Sequence, residues 1–272
     1  MAYLENLFGV SGKTALVTGG SSGIGRMIAT ALVQAGAHVM IVSRKGDRCE
    51  AVAAELNALG ATGSAEGFSG DVGSQDAITA LVDAVKSRTD KLDVLFNNAG
   101  VSWGAPMADF PFDAWQKVMN INVAGLFTLT RELLPLLDAS ASDADPARVV
   151  NIGSVMGTVP VAEGAYSYAA SKAAVHHLTK ILADELAARR ITVNAFAPGP
   201  FPSKMTAFAT GSEEGAAKVS KNVPLGRIGC ADDIAAATLF LCGRGGSYIS
   251  GAILPIDGGM SAQNAIHLFG NL

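Results

Sequence analysis

Seven short runs rich in β-branched residues alternate with longer helical patterns along almost the whole chain, and this alternation constrains the fold more than any other feature. The runs are Thr14 to Thr18, His38 to Ser43, Ala65 to Gly70, Leu92 to Asn97, Arg148 to Ile152, Thr192 to Ala197 and Ala252 to Ile256. Helical periodicity covers Ile24 to Ala35, Arg48 to Leu59, Ser74 to Ser87, Phe112 to Leu137, Tyr166 to Arg189 and Asp232 to Leu241. A strand that leads through a helix to the next strand builds a parallel sheet, and helices must then cover both its faces. The expected fold is α/β, a doubly wound sheet of seven strands.

Two stretches break the rhythm. Asp138 to Pro146 is rich in Ser, Asp and Ala and reads as an exposed loop with no assigned function. Pro198 to Pro224 is too long for an ordinary connection and is expected to form a lid, centred on residues 200–224. No change in composition marks a linker, so residues 1–272 are expected to be one domain. Its tail, 261–272, carries Ile266, Leu268 and Phe269, and either covers a neighbour's cleft or frays.

With 49% hydrophobic and 16% charged residues, the 272-residue chain can bury a large core. No apolar stretch reaches the roughly 18 residues of a membrane span, and residues 1–12 lack the basic flank and apolar core of a secretion signal. A soluble, cytoplasmic protein is expected. The net charge of −4 and the lack of a Lys or Arg run argue against nucleic acid or an anionic membrane as partner. Cys49, Cys230 and Cys242 lack C-x-x-C spacing, and His38, His176, His177 and His267 lack metal-ligand spacing, so no metal site is expected.

Chemistry gathers at the expected carboxyl ends of the strands, where open parallel sheets bind ligands. Gly19, Ser21, Ser22, Gly23, Ile24 and Gly25 follow the first strand and open the first long helix. Glycines there allow a tight turn and close backbone approach to a diphosphate. The spacing does not match G-x-G-x-x-G, and a plain glycine-rich turn is the competing reading. The second strand ends in Ser43, Arg44 and Lys45, where an NAD-selective site would place a carboxylate. A guanidinium suits the 2′-phosphate of NADP, so NADP(H) is favoured over two idle surface cations. Asp71 and Val72 end the third strand and are placed against the adenine; Asn98, Ala99 and Gly100 end the fourth and line the cofactor path. Asn97 reads as structural.

Tyr168 and Lys172 stand four residues apart, on one face of a helix. An ammonium beside a phenol favours the phenolate and is expected to lower its pKa from about 10. By itself the spacing is also common on solvated helices.

Thr18 to Gly25, Asn97 to Gly100, Ser154, Tyr168 with Lys172, and Pro198 with Gly199 occur in the order and near the spacing of the short-chain dehydrogenase/reductase family. The resemblance runs from about Leu7 to Met260. It implies a single Rossmann-type domain with strand order 3-2-1-4-5-6-7, a homotetramer, and hydride transfer between NAD(P) and a carbonyl or alcohol. Ser102 to Gly104, Val150 to Val155 and Phe201 to Met205 look most like NADPH-dependent β-ketoacyl reductases of the rhamnolipid type, and are similar to broad-range bacterial ketone reductases. By the same resemblance Ser154 hydrogen-bonds the substrate oxygen, and Tyr168 protonates it. Lys172 tunes Tyr168 and holds the nicotinamide ribose, while Asn122 supports a water-linked relay behind Lys172. Pro198 and Gly199 belong to the cofactor set; Asn120 and Tyr166 do not belong to the site. Ser22 stands where NADP-users often carry a basic residue, and Ser203 where a threonine commonly touches the carboxamide.

Trp103, Val155, Met156, Val159, Phe201, Met205 and Phe208 outline a roomy apolar pocket, unless several are simply core. The expected substrate is therefore a bulky hydrophobic ketone or secondary alcohol, with a 3-oxoacyl thioester as the alternative. A non-catalytic NADP-binding sensor or scaffold is the reading from another class.

Overall fold

The structure, a computed structural model, describes residues 2–160, 164–203 and 205–263. Ile266, Leu268 and Phe269 of the tail lie outside the described residues, as does Lys204. Strands β1 (Thr14–Thr18), β2 (His38–Ser43), β3 (Ser64–Ser69), β4 (Val94–Asn97), β5 (Ala147–Ile152), β6 (Ile191–Pro198) and β7 (Ile253–Ile256) form one parallel sheet in the order β3-β2-β1-β4-β5-β6-β7. All seven expected strands are present. Helices α1 (Ala2–Phe8), α2 (Gly23–Gln34), α3 (Gly46–Asn57), α4 (Gln75–Lys86), α5 (Phe112–Met119), α6 (Leu126–Ser140), α7 (Tyr166–Glu185), α8 (Ala207–Thr210), α9 (Glu213–Ser220) and α10 (Ala231–Cys242) surround it.

Successive side chains of a strand point to opposite faces, and the core divides accordingly. Ala15, Val17, Val39 and Ile41 join Ile28 and Leu32 of α2, Val52 of α3 and Ile234 of α10 on one face. Leu16, Met40 and Val42 join Leu81 and Val85 of α4, Leu129 and Leu133 of α6 and Leu182 of α7 on the other. Strands buried on both faces are what a parallel sheet requires, hence their continuous apolar runs. Helix α4 shows the local rules plainly. Ser74 accepts a hydrogen bond from the Ala77 N–H, Asp76 lies in the first turn, and Ile78, Leu81, Val82 and Val85 form the buried face.

Two expectations need correction. The helix expected over Phe112 to Leu137 is broken by a π-helical turn at Asn120–Gly125. A Cβ on Gly125 would collide with the Val72 carbonyl, so only glycine lets this turn pass so close to the segment after β3. The loop 138–146 is not merely exposed: α6 runs to Ser140, and Asp145 pairs with Lys13 and with the buried Arg148, while Asp138 and Asp143 pair with Arg189 and Arg190. These carboxylates tie down the sheet at the end opposite the glycine turn. The stretch after β6 holds the short helices α8 and α9.

Candidate active site

The strand order reverses between β1 and β4, which leaves a crevice between the loops that follow these strands. Gly19 and Gly23 take left-handed backbone angles, with φ of 65° and 54°, which a side chain would strain. A Cβ on Gly25 would sit 2.5 Å from the Gly19 carbonyl oxygen and closer still to Asn98 Nδ2. The Ser22 side chain makes no capping bond to α2, so the N–H groups of the first turn keep their capacity for a ligand. Asn98 holds the facing loop, donating from Nδ2 to the Thr18 carbonyl at 2.8 Å, while the Thr18 hydroxyl accepts from the Asn98 and Ala99 N–H groups at 3.0 Å each. Asn97 points elsewhere, bonded in the core to Thr130 and Asn151.

A cleft of about 300 Å³ runs from this turn to α7. Gly19, Ser22, Gly23, Ile24, Asn98, Ala99 and Gly100 form one wall, and Ser154, Tyr168, Lys172, Pro198 and Gly199 the other. An adjoining cavity of about 140 Å³ shares Gly19, Ala99 and Gly100 and is lined by Ser43, Arg44, Asp71 and Val72. Ser21 lies just behind, its hydroxyl 3.2 Å from that of Ser43. Gly25 underlies the turn. Asn122 is buried behind Gly100: its Oδ1 accepts from the Val101 N–H at 2.9 Å, and its Nδ2 donates to the Val101 carbonyl at 3.0 Å and the Ser171 hydroxyl at 2.9 Å. The π-turn is what aims it there.

Ser154 caps a short turn after β5, its hydroxyl accepting from the Met156 N–H at 3.1 Å, and lines the cleft with Tyr168. One helical turn past Tyr168, the buried Lys172 donates from Nζ to the Ile152 carbonyl at 2.6 Å and lies 5.5 Å from the centre of the Tyr168 ring. Burial pushes the Tyr168 phenol up, an effect the Ser154 hydroxyl only partly offsets. It pushes the Lys172 ammonium down to about 8. The expected lowering of Tyr168 by Lys172 is therefore corrected for this state: desolvation outweighs an ammonium that faces the ring and is spent on Ile152.

Two further groups escaped the sequence reading. Arg48, four residues beyond Arg44, reaches over from α3 and donates from Nε to the Ser21 carbonyl at 3.1 Å. Thr206 lines the cleft beside Ser203 and exchanges hydrogen bonds with it, the hydroxyls 2.9 Å apart. Only their spacing from Arg44 and Ser203 could have drawn attention to them. Of the expected apolar pocket, Phe201 and Met205 line the cleft, Val155 is core, and Trp103 and Phe208 are exposed.

The sequence matches the short chain dehydrogenase family over residues 13–214. The chain belongs to this family. As a short-chain dehydrogenase it is an NAD(P)-dependent oxidoreductase. It is 44% identical over 252 residues to the rhamnolipids biosynthesis 3-oxoacyl-(acyl-carrier-protein) reductase of Pseudomonas aeruginosa, covering 93% of this chain and 97% of that one. Its fold matches the Pseudomonas aeruginosa RhlG/NADP complex with a TM-score of 0.90 at 43% identity, over 94% of this chain and 99% of that one. A more distant short-chain dehydrogenase, the gluconate 5-dehydrogenase of Gluconobacter oxydans, is 33% identical over 95% of this chain and 98% of its own. Among the described residues no helix is long and apolar enough to cross a membrane, and no His, Cys, Asp and Glu group could hold a metal ion.

Proposed function

We propose that the protein is an NADPH-dependent reductase of 3-oxoacyl thioesters. The observation that carries this reading is the single cleft in which Ser154, Tyr168 and Lys172 face the glycine turn. Between the two substrate classes, the 3-oxoacyl reductases among the relatives favour the thioester over a bulky ketone or alcohol.

The cradle fits a dinucleotide. Left-handed glycines and free N–H groups at the start of α2 suit a diphosphate. Ser43, Arg44 and the nearby Arg48 suit a 2′-phosphate, and no carboxylate ends β2 to receive an unphosphorylated ribose. When bound, NADPH supplies the hydride. The chain's own residues then handle the oxygen. Ser154 donates its hydroxyl proton to the substrate carbonyl while its oxygen accepts from the Met156 N–H. Tyr168 gives its proton to the developing oxyanion, so ketone, hydride and proton sum to the secondary alcohol. Lys172, with a pKa of about 8, exchanges protons near neutral pH and resupplies Tyr168, and Asn122 braces the segment through which water reaches it.

The exposed Met205 and Phe208 on the lid offer an apolar surface for an acyl chain. Phe112, Phe127 and Ile181 leave apolar side chains exposed on α5, α6 and α7, which supports the homotetramer as a proposal. The test is initial-rate turnover of 3-oxoacyl thioesters, long-chain ketones, diaryl ketones and polar sugar acids, each with NADPH and with NADH. Preference for thioesters under NADPH is the expected result. Exclusive turnover of sugar acids, or binding of NADPH without oxidation of any carbonyl, would overturn the reading.

A further inference from the structure

His176 continues the spacing of Tyr168 and Lys172 by one more helical turn along α7, and it is buried. The segment that follows β5 is wrapped around its ring. A Cβ on Gly153 would overlap Nε2, and one on Gly157 would come within 2.8 Å of Cε1 and of the Lys172 carbonyl oxygen. Only glycines let this turn close on the imidazole. Nε2 lies 3.4 Å from the Ser154 backbone nitrogen, and Nδ1 lies 3.4 Å from the Thr158 hydroxyl. A backbone N–H can only donate, so Nε2 accepts and the ring proton stands on Nδ1, pointing to Thr158. The imidazole thus pins both ends of the turn that carries the Ser154 hydroxyl to the helix that carries Tyr168 and Lys172.

We propose that His176 is a positioning residue, whose neutral Nδ1–H form holds the Ser154 turn against α7 and sets the Ser154 hydroxyl opposite Tyr168. This rests on the roles proposed for Ser154 and Tyr168. Burial and the charges of Lys172 and Lys180 on the same helix push the imidazole down to about 4, while residues 153–158 carry no ionisable side chain. The acceptor at Nε2 is accordingly intact at neutral pH.

His176→Leu keeps the bulk and removes the acceptor; His176→Gln returns an amide oxygen near the place of Nε2. Small displacements of a reacting group cost one to two orders of magnitude, so His176→Leu should lose roughly tenfold or more in kcat, with KM for NADPH unchanged. His176→Gln should recover most of that loss. In a Ser154→Ala background, His176→Leu should cost nothing further, because its effect passes through the serine. Additive losses in the double variant, or no recovery with Gln, would overturn the positioning role, since a general packing defect is indifferent to both. Should the Leu variant fail to fold, nitrogen-proton correlation spectra of the wild-type ring decide: an Nε2–H tautomer overturns the proposal. Full activity in Ser154→Ala alone would instead overturn the reading of the site.

Discussion

Lys172 should cost the fold stability, in an amount that pH can read. Its ammonium is buried and its pKa falls from 10.5 to about 8, so keeping the charge inside costs about 3 kcal/mol at neutral pH, at roughly 1.4 kcal/mol per unit. Lys172→Met removes that charge but strands the Ile152 carbonyl, at a cost of about 1 to 3 kcal/mol, so wild type and Lys172→Met should be similar in stability near pH 7. The pH dependence separates the terms. The lysine is charged in both folded and unfolded chains below about 8, where the full penalty applies, and neutral in both above about 10.5, where it vanishes. Between about pH 7 and about pH 9.5 the unfolded chain binds more protons, and wild type should gain roughly 2 kcal/mol relative to Lys172→Met. Urea unfolding of the dinucleotide-free enzyme across this range, at fixed protomer concentration, measures the difference. Parallel stability curves would refute the assignment of a buried, charged Lys172.

Tyr168→Phe removes only the hydroxyl, so turnover should fall by about 10²-fold or more while NADPH affinity, followed by fluorescence titration, stays within a few-fold. Arg44→Ala should weaken NADPH by roughly 10-fold or more and leave NADH almost unchanged, because one charge-assisted phosphate contact is worth about 1.5 to 3 kcal/mol; equal losses for both dinucleotides would refute the 2′-phosphate role. Gly25→Ala has no room beside Gly19 and Asn98, and overpacking of this kind costs about 1 to 3 kcal/mol, so thermal unfolding should move down and NADPH binding should weaken with it.

The strands were legible because a parallel sheet buried on both faces leaves a signature that survives any tertiary detail: Leu16 and Val17 go to opposite sides and both must be apolar. The glycine turn was legible for a different reason, since it opens a helix directly after a strand, whereas Ser154 and the pairing of Tyr168 with Lys172 became legible only through the resemblance to a family's order and spacing. What stayed hidden depends on neighbours distant in sequence. Nothing local in Asn120 to Gly125 announces a π-turn, and the close approach of Gly125 to the Val72 carbonyl, some fifty residues earlier, is visible only in the fold. Arg48 meets Ser21 only because α3 packs beside α2, and Asp145 serves two cations only once the sheet is formed. Helix α9 did leave a signal, Ser212 accepting from the Gly215 N–H three residues on, but Pro, Gly and short length obscured it.

The shifts at Tyr168 and Lys172 also bear on the proposed proton relay. In water the phenol, at 10.0, gives up its proton before an ammonium at 10.5. Burial reverses that order, raising the first and lowering the second to about 8. Near neutral pH the site therefore holds a protonated phenol beside a lysine close to its own titration. A proton donor must still own its proton when the substrate arrives, and a resupplying group must lose and regain one at working pH. Tyr168 meets the first requirement and Lys172 the second. The same desolvation that makes Lys172 costly to fold thus brings its titration within reach of neutral pH, as the proposed resupply of Tyr168 requires.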